Sequence, residues 1–188
     1  MRMLDNCTPD GNVLQLTCVY GSLTTNILNK ISPRSLHLTD VAGVQLDKTL
    51  SKAPHKENLL ATRMNAEQLA YRDNAFSTVV LFFLLHEMPH DARLRTLDEC
   101  MRVLDHGGRL LLTEYAPLPT KHLLYRFAPS RFLITKLEPF LAGFWEEDIL
   151  ETLNSLGKTH GKRVEVVSNK LIFSRFYCVT EYKVVDMD

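Results

Sequence analysis

At 188 residues, with 22 basic side chains balancing 22 acidic ones, the chain suits one domain with a good-sized core and carries no net field of the kind that draws nucleic acid. No apolar run approaches the length needed to cross a bilayer, and the opening stretch MRMLDNCTPDG has no signal-type apolar centre. The four cysteines, at 7, 18, 100 and 178, are scattered without a CxxC pair, which points to a reducing, cytoplasmic setting in which Cys18 and Cys178 are small core residues.

From Val13 the sequence reads VLQLTCVYGSLTT. An apolar run with β-branched members stops at Gly21, and a helical pattern follows with Ile27 and Leu28, so the stretch reads as strand, tight turn and helix start of a βαβ unit. The crevice beyond such a strand is the usual ligand site of an open parallel sheet, because the turn offers free N–H groups and the positive end of a helix. Such a turn normally carries several glycines. Here only Gly21 remains, and Tyr20 in the bend either narrows the pocket, points a phenol into it, or packs as a core residue. Pro33 closes the helix, and Leu36 to Thr39 reads as a second strand ending at Asp40. An acid at that distance from the turn accepts from ribose hydroxyls, or merely caps the next helix.

Val44 to Lys52 reads as a helix, ended by Pro54, and Leu59 to Met64 as a third strand followed by Asn65-Ala66-Glu67. Thr78 to Leu85 (TVVLFFLL) suits a central strand covered on both faces. Arg93 to Leu104 is amphipathic, with Asp105-His106-Gly107-Gly108 as its stop signal and Arg109 to Thr113 as a fifth strand reaching Glu114-Tyr115. Strands alternating with helices in this way indicate a doubly wound α/β sheet within a single domain spanning 1–188. Pro117 to Trp145 is aromatic and broken by prolines, and sets Lys121, Arg126, Arg131 and Lys136 against Glu138. It suits a lid over an apolar substrate, a segment resting on a membrane surface, or plain core helices. Glu146 to Leu156 reads as a helix with Gly157 as its C-cap. Val164 to Val167 and Leu171 to Val185 read as a terminal antiparallel pair joined through Ser168-Asn169-Lys170.

His86-Glu87-Met88-Pro89-His90 spells HExxH, the zinc-hydrolase signature, which needs both histidines one turn apart on one helix. Pro89 removes a helix N–H and pushes Met88 out of the helical region, so no metal site is expected. His86 and Glu87 belong instead to the carboxyl end of the fourth strand, with Pro89 opening the next helix.

Five segments in this order resemble the class I S-adenosylmethionine-dependent methyltransferases from Val13 to Glu114 and beyond: Leu16 to Gly21 as the glycine loop, Asp40 as the ribose acid, Asn65-Ala66-Glu67 on the adenine side, AFSTVVLFFLLHEMP at the fourth strand, and ECMRVLDHGGRLLLTEY before the fifth. The resemblance implies a Rossmann-like sheet, mostly parallel with a C-terminal antiparallel strand pair. It also implies S-adenosyl-L-methionine as cofactor, held by Cys18, Val19, Tyr20, Gly21, Asp40, Val41, Asn65, Ala66, Glu67, Phe82 and Phe83. Within the family the chain is most similar to the quinone-modifying methyltransferases of ubiquinone and menaquinone synthesis. Cys18-Val19-Tyr20-Gly21, Phe82 to Glu87 and Leu137 to Phe140 also resemble the rhodoquinone biosynthesis enzymes, which imply amino rather than methyl transfer. Two departures are the missing N-terminal helices and the different closing strands (FSRFYCVTEYKV). Thr17 and Val19 in place of glycines, and Gln15 where an acid is common, keep a non-catalytic binding module in view. Transfer from a sulfonium needs alignment more than acid–base help. His86, Glu87, Tyr115 and Tyr20 are the candidates to assist a phenol or quinol acceptor. The expected partner is a small apolar substrate, an aromatic or a membrane quinone, with no nucleic acid and an open oligomeric state.

Overall fold

The computed structural model describes residues 11–30, 33–116 and 126–187, with the backbone alone at Tyr20 and Thr135. Seven strands form one sheet in the order β3-β2-β1-β4-β5-β7-β6: β1 (Asn12–Leu16), β2 (Ser35–Asp40), β3 (Leu59–Arg63), β4 (Phe76–Phe82), β5 (Leu104–Tyr115), β6 (Lys162–Ile172) and β7 (Tyr177–Asp186). The first five are parallel, and β7 runs antiparallel to both β5 and β6. The helices are α1 (Ser22–Lys30), α2 (Gly43–Lys52), α3 (His90–Val103), α4 (Ala128–Leu137), α5 (Leu141–Trp145) and α6 (Ile149–Gly157).

Alternation along the central strands decides the layering. Leu14, Leu16, Val79, Leu81, Leu110 and Leu112 face Leu97 and Met101 of α3 together with Leu141, Phe144 and Leu153. Val13, Val80, Leu111 and Val179 turn the other way, onto Leu23, Ile27 and Leu28 of α1. Both faces are therefore covered, as a parallel sheet requires. Strand order reverses between β1 and β4, which opens a crevice beyond their carboxyl ends.

Several boundaries differ from the sequence expectation. The fourth strand stops at Phe82 rather than Leu85: Phe83 turns left-handed (φ 52), and Leu85–Glu87 forms a 3-10 turn. The first helix starts immediately at Ser22. Asp105-His106-Gly107-Gly108 stops nothing, because α3 ends at Val103 and the four residues lie inside β5. The end of α3 is satisfied from outside its own segment. Lys162, 1% exposed, donates from Nζ to the carbonyls of Met101 (2.8 Å), Leu104 (2.6 Å) and Arg102 (3.4 Å). Gly157 is not a left-handed cap; it is the last residue of α6 with φ −60, and the left-handed position is Gly161 (φ 67). Gly157 is needed for closeness, since a β-carbon there would fall 2.4 Å from the Lys162 carbonyl oxygen. Ser168-Asn169-Lys170 is not a turn either. A bulge between Val166 and Ser168 lets β6 run on through it, and the chain reverses at 173–176.

Of the 117–145 segment, residues 117–125 lie outside the described portion, Lys121 among them. The remainder is split: Leu141 and Phe144 are buried, while Phe132, Leu133 and Leu137 are exposed. No helix among the described residues is long and apolar enough to cross a membrane.

Replacing Lys162 by Met keeps the aliphatic stem but takes this donor from the Met101 and Leu104 carbonyls, while the Arg102 carbonyl keeps the Asn74 N–H (3.1 Å). The expected loss is about 1–3 kcal/mol of unfolding free energy, read as a lower urea midpoint; an unchanged midpoint would contradict this account of how α3 ends.

Candidate active site

The turn after β1 has kept a glycine-type backbone without the glycines. Thr17 (φ 67), Val19 (φ 30) and Gly21 (φ 78) all have positive φ, and for a β-branched residue that conformation costs about 1–3 kcal/mol. Surrounding hydrogen bonds enforce it. Thr17 donates its N–H to Thr39 O (2.8 Å) and its hydroxyl to Phe82 O (3.2 Å). Gln15 donates to Thr17 O (2.8 Å) and accepts from Thr24 Oγ1 (3.0 Å). Gly21 is required twice, by its φ and by space: a β-carbon would lie 3.0 Å from the Thr49 Cα.

Asp40 closes this turn from the neighbouring strand. Its Oδ2 accepts from Cys18 N (3.0 Å) and its Oδ1 from Ala42 N (2.8 Å), so one carboxylate joins the β1 turn to the entry of α2. Cys18 contributes its backbone to this arrangement. Its thiol is packed with Leu38 and Leu46, and burial pushes its pKa up to about 12, which keeps it protonated. Val41 is exposed, and its carbonyl accepts from Arg63 Nε (2.8 Å). Beyond β3, Asn65 Oδ1 accepts from Glu67 N (3.0 Å) in a tight turn. Ala66 packs on the core. The Arg95 guanidinium, 2.7 Å away, holds the Glu67 carboxyl below its ordinary range. These residues form a crescent over the tips of β1, β2 and β3. The Tyr20 side chain lies outside the described residues.

The second half of the site is built on Glu114. Although 3% exposed, its carboxylate takes three hydrogen bonds: Oε1 from Leu84 N (2.8 Å) and Leu85 N (2.7 Å), and Oε2 with His86 Nδ1 (2.6 Å). Burial pulls the His86 pKa down, but the hydrogen bond and charge of Glu114, with Glu138 and Glu87 further off, outweigh it and leave the pKa above the usual histidine value. Glu138 Oε2 lies 3.8 Å from His86 Nε2. Glu87 is raised, first by partial desolvation and, against the pull of His86, by the charges of Glu138, Glu114 and Asp40; the crescent and this cluster therefore feel each other. Tyr115, pushed up to about 12 by burial and by its anionic neighbours, stacks edge-on against His86 at 4.8 Å. Phe82 and Phe83 complete the wall, 4.7 Å apart.

Arg93 holds the cluster in place. Only 2% exposed, it pairs Nε with both oxygens of Glu147 (2.9 and 3.0 Å) and donates from Nη1 to Met88 O (2.6 Å) and Phe140 O (3.4 Å). That clamp brings the segment bearing Glu138 up to the β4 exit. The refused zinc motif is resolved by the same geometry: Pro89 is extended (ψ 157) between the two histidines, so they share no helix face, and His90 turns away to Glu147 (2.7 Å). A cavity of about 430 Å³ on the α5–α6 side of β5 and β7 shares Glu114 and Tyr115 with this cluster but does not reach the crescent.

The structure thus brings His86, Glu87 and Tyr115 together at the tips of β4 and β5, and sets Cys18, Val19, Gly21, Asp40, Val41, Asn65, Ala66 and Glu67 along the crescent. Sequence reasoning missed Glu114 as the organiser, Glu138, Arg93 and Tyr177. For Glu114 a signal existed: an acid ending a buried strand opposite FFLLHE needs a donor.

A family model described as a methyltransferase domain matches residues 13–108. The ubiquinone/menaquinone biosynthesis C-methyltransferase UbiE of Brucella canis is 34% identical over 92 residues, covering 46% of this chain and 34% of that protein. The match thus spans about a third of the length of this curated relative. Among solved structures, the N-methyltransferase NodS of Bradyrhizobium japonicum in complex with S-adenosyl-L-homocysteine superposes with a TM-score of 0.66 at 14% identity, covering 97% of this chain and 82% of that one. A Haloferax volcanii putative methyltransferase complexed with the activator Trm112 gives 0.71 at 11% identity, covering 98% and 88%. At these identities the structural likeness speaks for the fold alone.

Because the folded state raises the His86 pKa, the proton on His86 stabilises the fold. That contribution is fully present below the unfolded value of about 6.5 and is lost as pH rises through the higher folded pKa. The melting-temperature gap between the wild type and His86→Gln is therefore expected to be wider at acidic than at alkaline pH. A gap independent of pH would break the Glu114–His86 assignment.

Proposed function

The chain belongs to the class I S-adenosylmethionine-dependent methyltransferase family, and from that premise we propose that it transfers a methyl group to a small apolar aromatic acceptor, with a quinone or quinol ring as the favoured class. The observation that carries this reading is the β1 turn, which retains a ligand-cradling backbone at Thr17, Val19 and Gly21 and is closed by Asp40. The residues fit the cofactor. Each Asp40 oxygen accepts one internal hydrogen bond and has a lone pair over for a ribose hydroxyl. The N–H groups around Val19 to Ser22 begin a helix whose positive end faces the crevice, and Asn65 to Glu67 lie on the adenine side. Bound there, S-adenosylmethionine supplies a methyl group already activated on a sulfonium.

The chain's own residues then have two tasks. Phe82, Phe83 and Tyr115 exclude water and align the acceptor. His86, whose pKa Glu114 raises, steadies an acceptor oxygen as it becomes anionic, and Glu87, with its raised pKa, takes the proton that oxygen loses. With the cofactor bound, the methyl group would pass from its sulfonium to the acceptor, and Glu87 is the residue that would receive the proton the acceptor loses. We read residues 1–188 as one domain whose 117–145 segment serves as a lid or membrane-facing element. In support, α4 exposes Phe132, Leu133 and Leu137, and the Lys136 ammonium lies 5.8 Å over the Phe132 ring. The printed name of the UbiE relative supports the quinone class.

A second reading, amino transfer to a ubiquinone ring, rests on the resemblance of Cys18-Val19-Tyr20-Gly21 to the rhodoquinone biosynthesis enzymes. A non-catalytic binding module rests on Thr17 and Val19, which stand with positive φ where glycines are usual. Titration calorimetry is expected to show micromolar binding of S-adenosylhomocysteine, weakened about tenfold or more by Asp40→Ala through loss of charge-assisted hydrogen bonds. Mass spectrometry of a quinol incubated with enzyme and S-adenosylmethionine separates a methyl from an amino gain. No binding at saturating ligand would leave only the module.

A further inference from the structure

The β6–β7 hairpin brings to the site an aromatic surface that the transferase reading does not use. Tyr177 opens β7 directly opposite Tyr115 in the antiparallel register. Its ring lies 4.8 Å from Phe83 and 5.2 Å from Tyr115, both nearly edge-on, and Phe176 closes on Tyr115 at 5.4 Å. Phe173 is different. It meets Tyr177 at 5.9 Å with only 31° between the planes, and 76% of it is exposed. It stands on a reversal in which Phe173, Ser174 and Arg175 all take left-handed backbone (φ 49, 55 and 70), a conformation costly for each of them. Each phenol has one O–H to donate, and burial raises the pKa of both, so both are protonated at neutral pH.

We propose that Tyr177 and Phe173 form the acceptor-recognition element: Phe173 offers an open ring face for an aromatic ligand, and the Tyr177 phenol donates its O–H to an oxygen on that ligand's ring. The class recognised is an oxygenated arene (a phenol, quinol or quinone) in preference to a plain hydrocarbon ring. The element adjoins the crescent, because the residue before Phe83 accepts the Thr17 hydroxyl through its carbonyl. The proposal deepens the transferase reading and rests on it only for the identity of the reaction; recognition of the ring is measurable without turnover.

The test is a pair of calorimetric titrations with para-propylphenol and propylbenzene, on protein with and without saturating S-adenosylhomocysteine. Wild type is expected to bind the phenol about tenfold more tightly than the hydrocarbon, the worth of one hydrogen bond. Tyr177→Phe is expected to abolish that preference while leaving the melting temperature and S-adenosylhomocysteine affinity unchanged, and Phe173→Ala to weaken both rings equally. A tenfold preference surviving in Tyr177→Phe overturns the proposal, as does wild-type affinity for both rings in Phe173→Ala. Ring discrimination lost in Tyr177→Phe without any S-adenosylhomocysteine binding would uphold the recognition element and sink the transferase reading. Cofactor binding without ring preference in the wild type would do the reverse.

Discussion

A buried carboxylate with three hydrogen bonds sets the geometry of the reactive end. Glu114 sits at the tip of β5, where an unpaired charge would be strongly unfavourable, and two backbone N–H groups and an imidazole compensate it. Those same bonds end β4, because Leu84 and Leu85 give their N–H groups to the side chain instead of continuing the ladder with β5. The chain then has to turn, and the turn carries His86 against Glu114 and leaves Glu87 exposed. Asp40 does the equivalent work on the other side of the switch point, tying Cys18 N to Ala42 N. Two strand-tip carboxylates therefore fix both rims of the crevice.

Between those rims the β1 turn stores strain. Thr17 and Val19 hold conformations natural to glycine, and they can do so because their neighbours over-determine the backbone: Thr39 O, Phe82 O and the Gln15 amide each fix Thr17. Gln15 stands where an acid is common, yet it is fully buried and its amide serves as both donor and acceptor within the fold. The shape of the turn has thus been uncoupled from its usual composition. What changes is the surface, since β-carbons at 17 and 19 occupy space that glycines would leave to a ligand. A narrower crevice selects among ligands by exclusion as well as by attraction.

The parts legible in the sequence are those whose causes are local. The second strand and second helix were placed within a residue of their observed limits because periodicity and Pro54 mark them, and Asp40 follows from its place after a strand. Pro89 alone was enough to refuse the zinc motif. The misread boundaries share a different origin. DHGG looked like a helix stop, but the end of α3 is satisfied by Lys162, far along the chain. Ser168-Asn169-Lys170 looked like a turn, but a bulge absorbs it. Gly157 reads as a C-cap, but it is the last residue of α6, where the Lys162 carbonyl excludes a β-carbon. His86 and Glu87 were placed at the crevice, whereas Glu114, Glu138 and Tyr177 were missed because their roles exist only once β5, the α4–α5 segment and β7 meet.

Charge links these pieces to the chemistry. Asp40, Glu87, Glu114 and Glu138 surround the crevice and the β4 exit, and Glu87 feels the other three, while His86, whose pKa the nearby carboxylates raise, is set among them. Arg93 adds nothing to this balance, since its charge is spent on Glu147; its contribution is mechanical, bringing Glu138 within reach of the imidazole. A site with that surplus of negative charge, in a partly desolvated cleft where charges are weakly screened, favours a cationic donor over the neutral thioether left after group transfer. The same field that draws the donor in therefore weakens the hold on what remains.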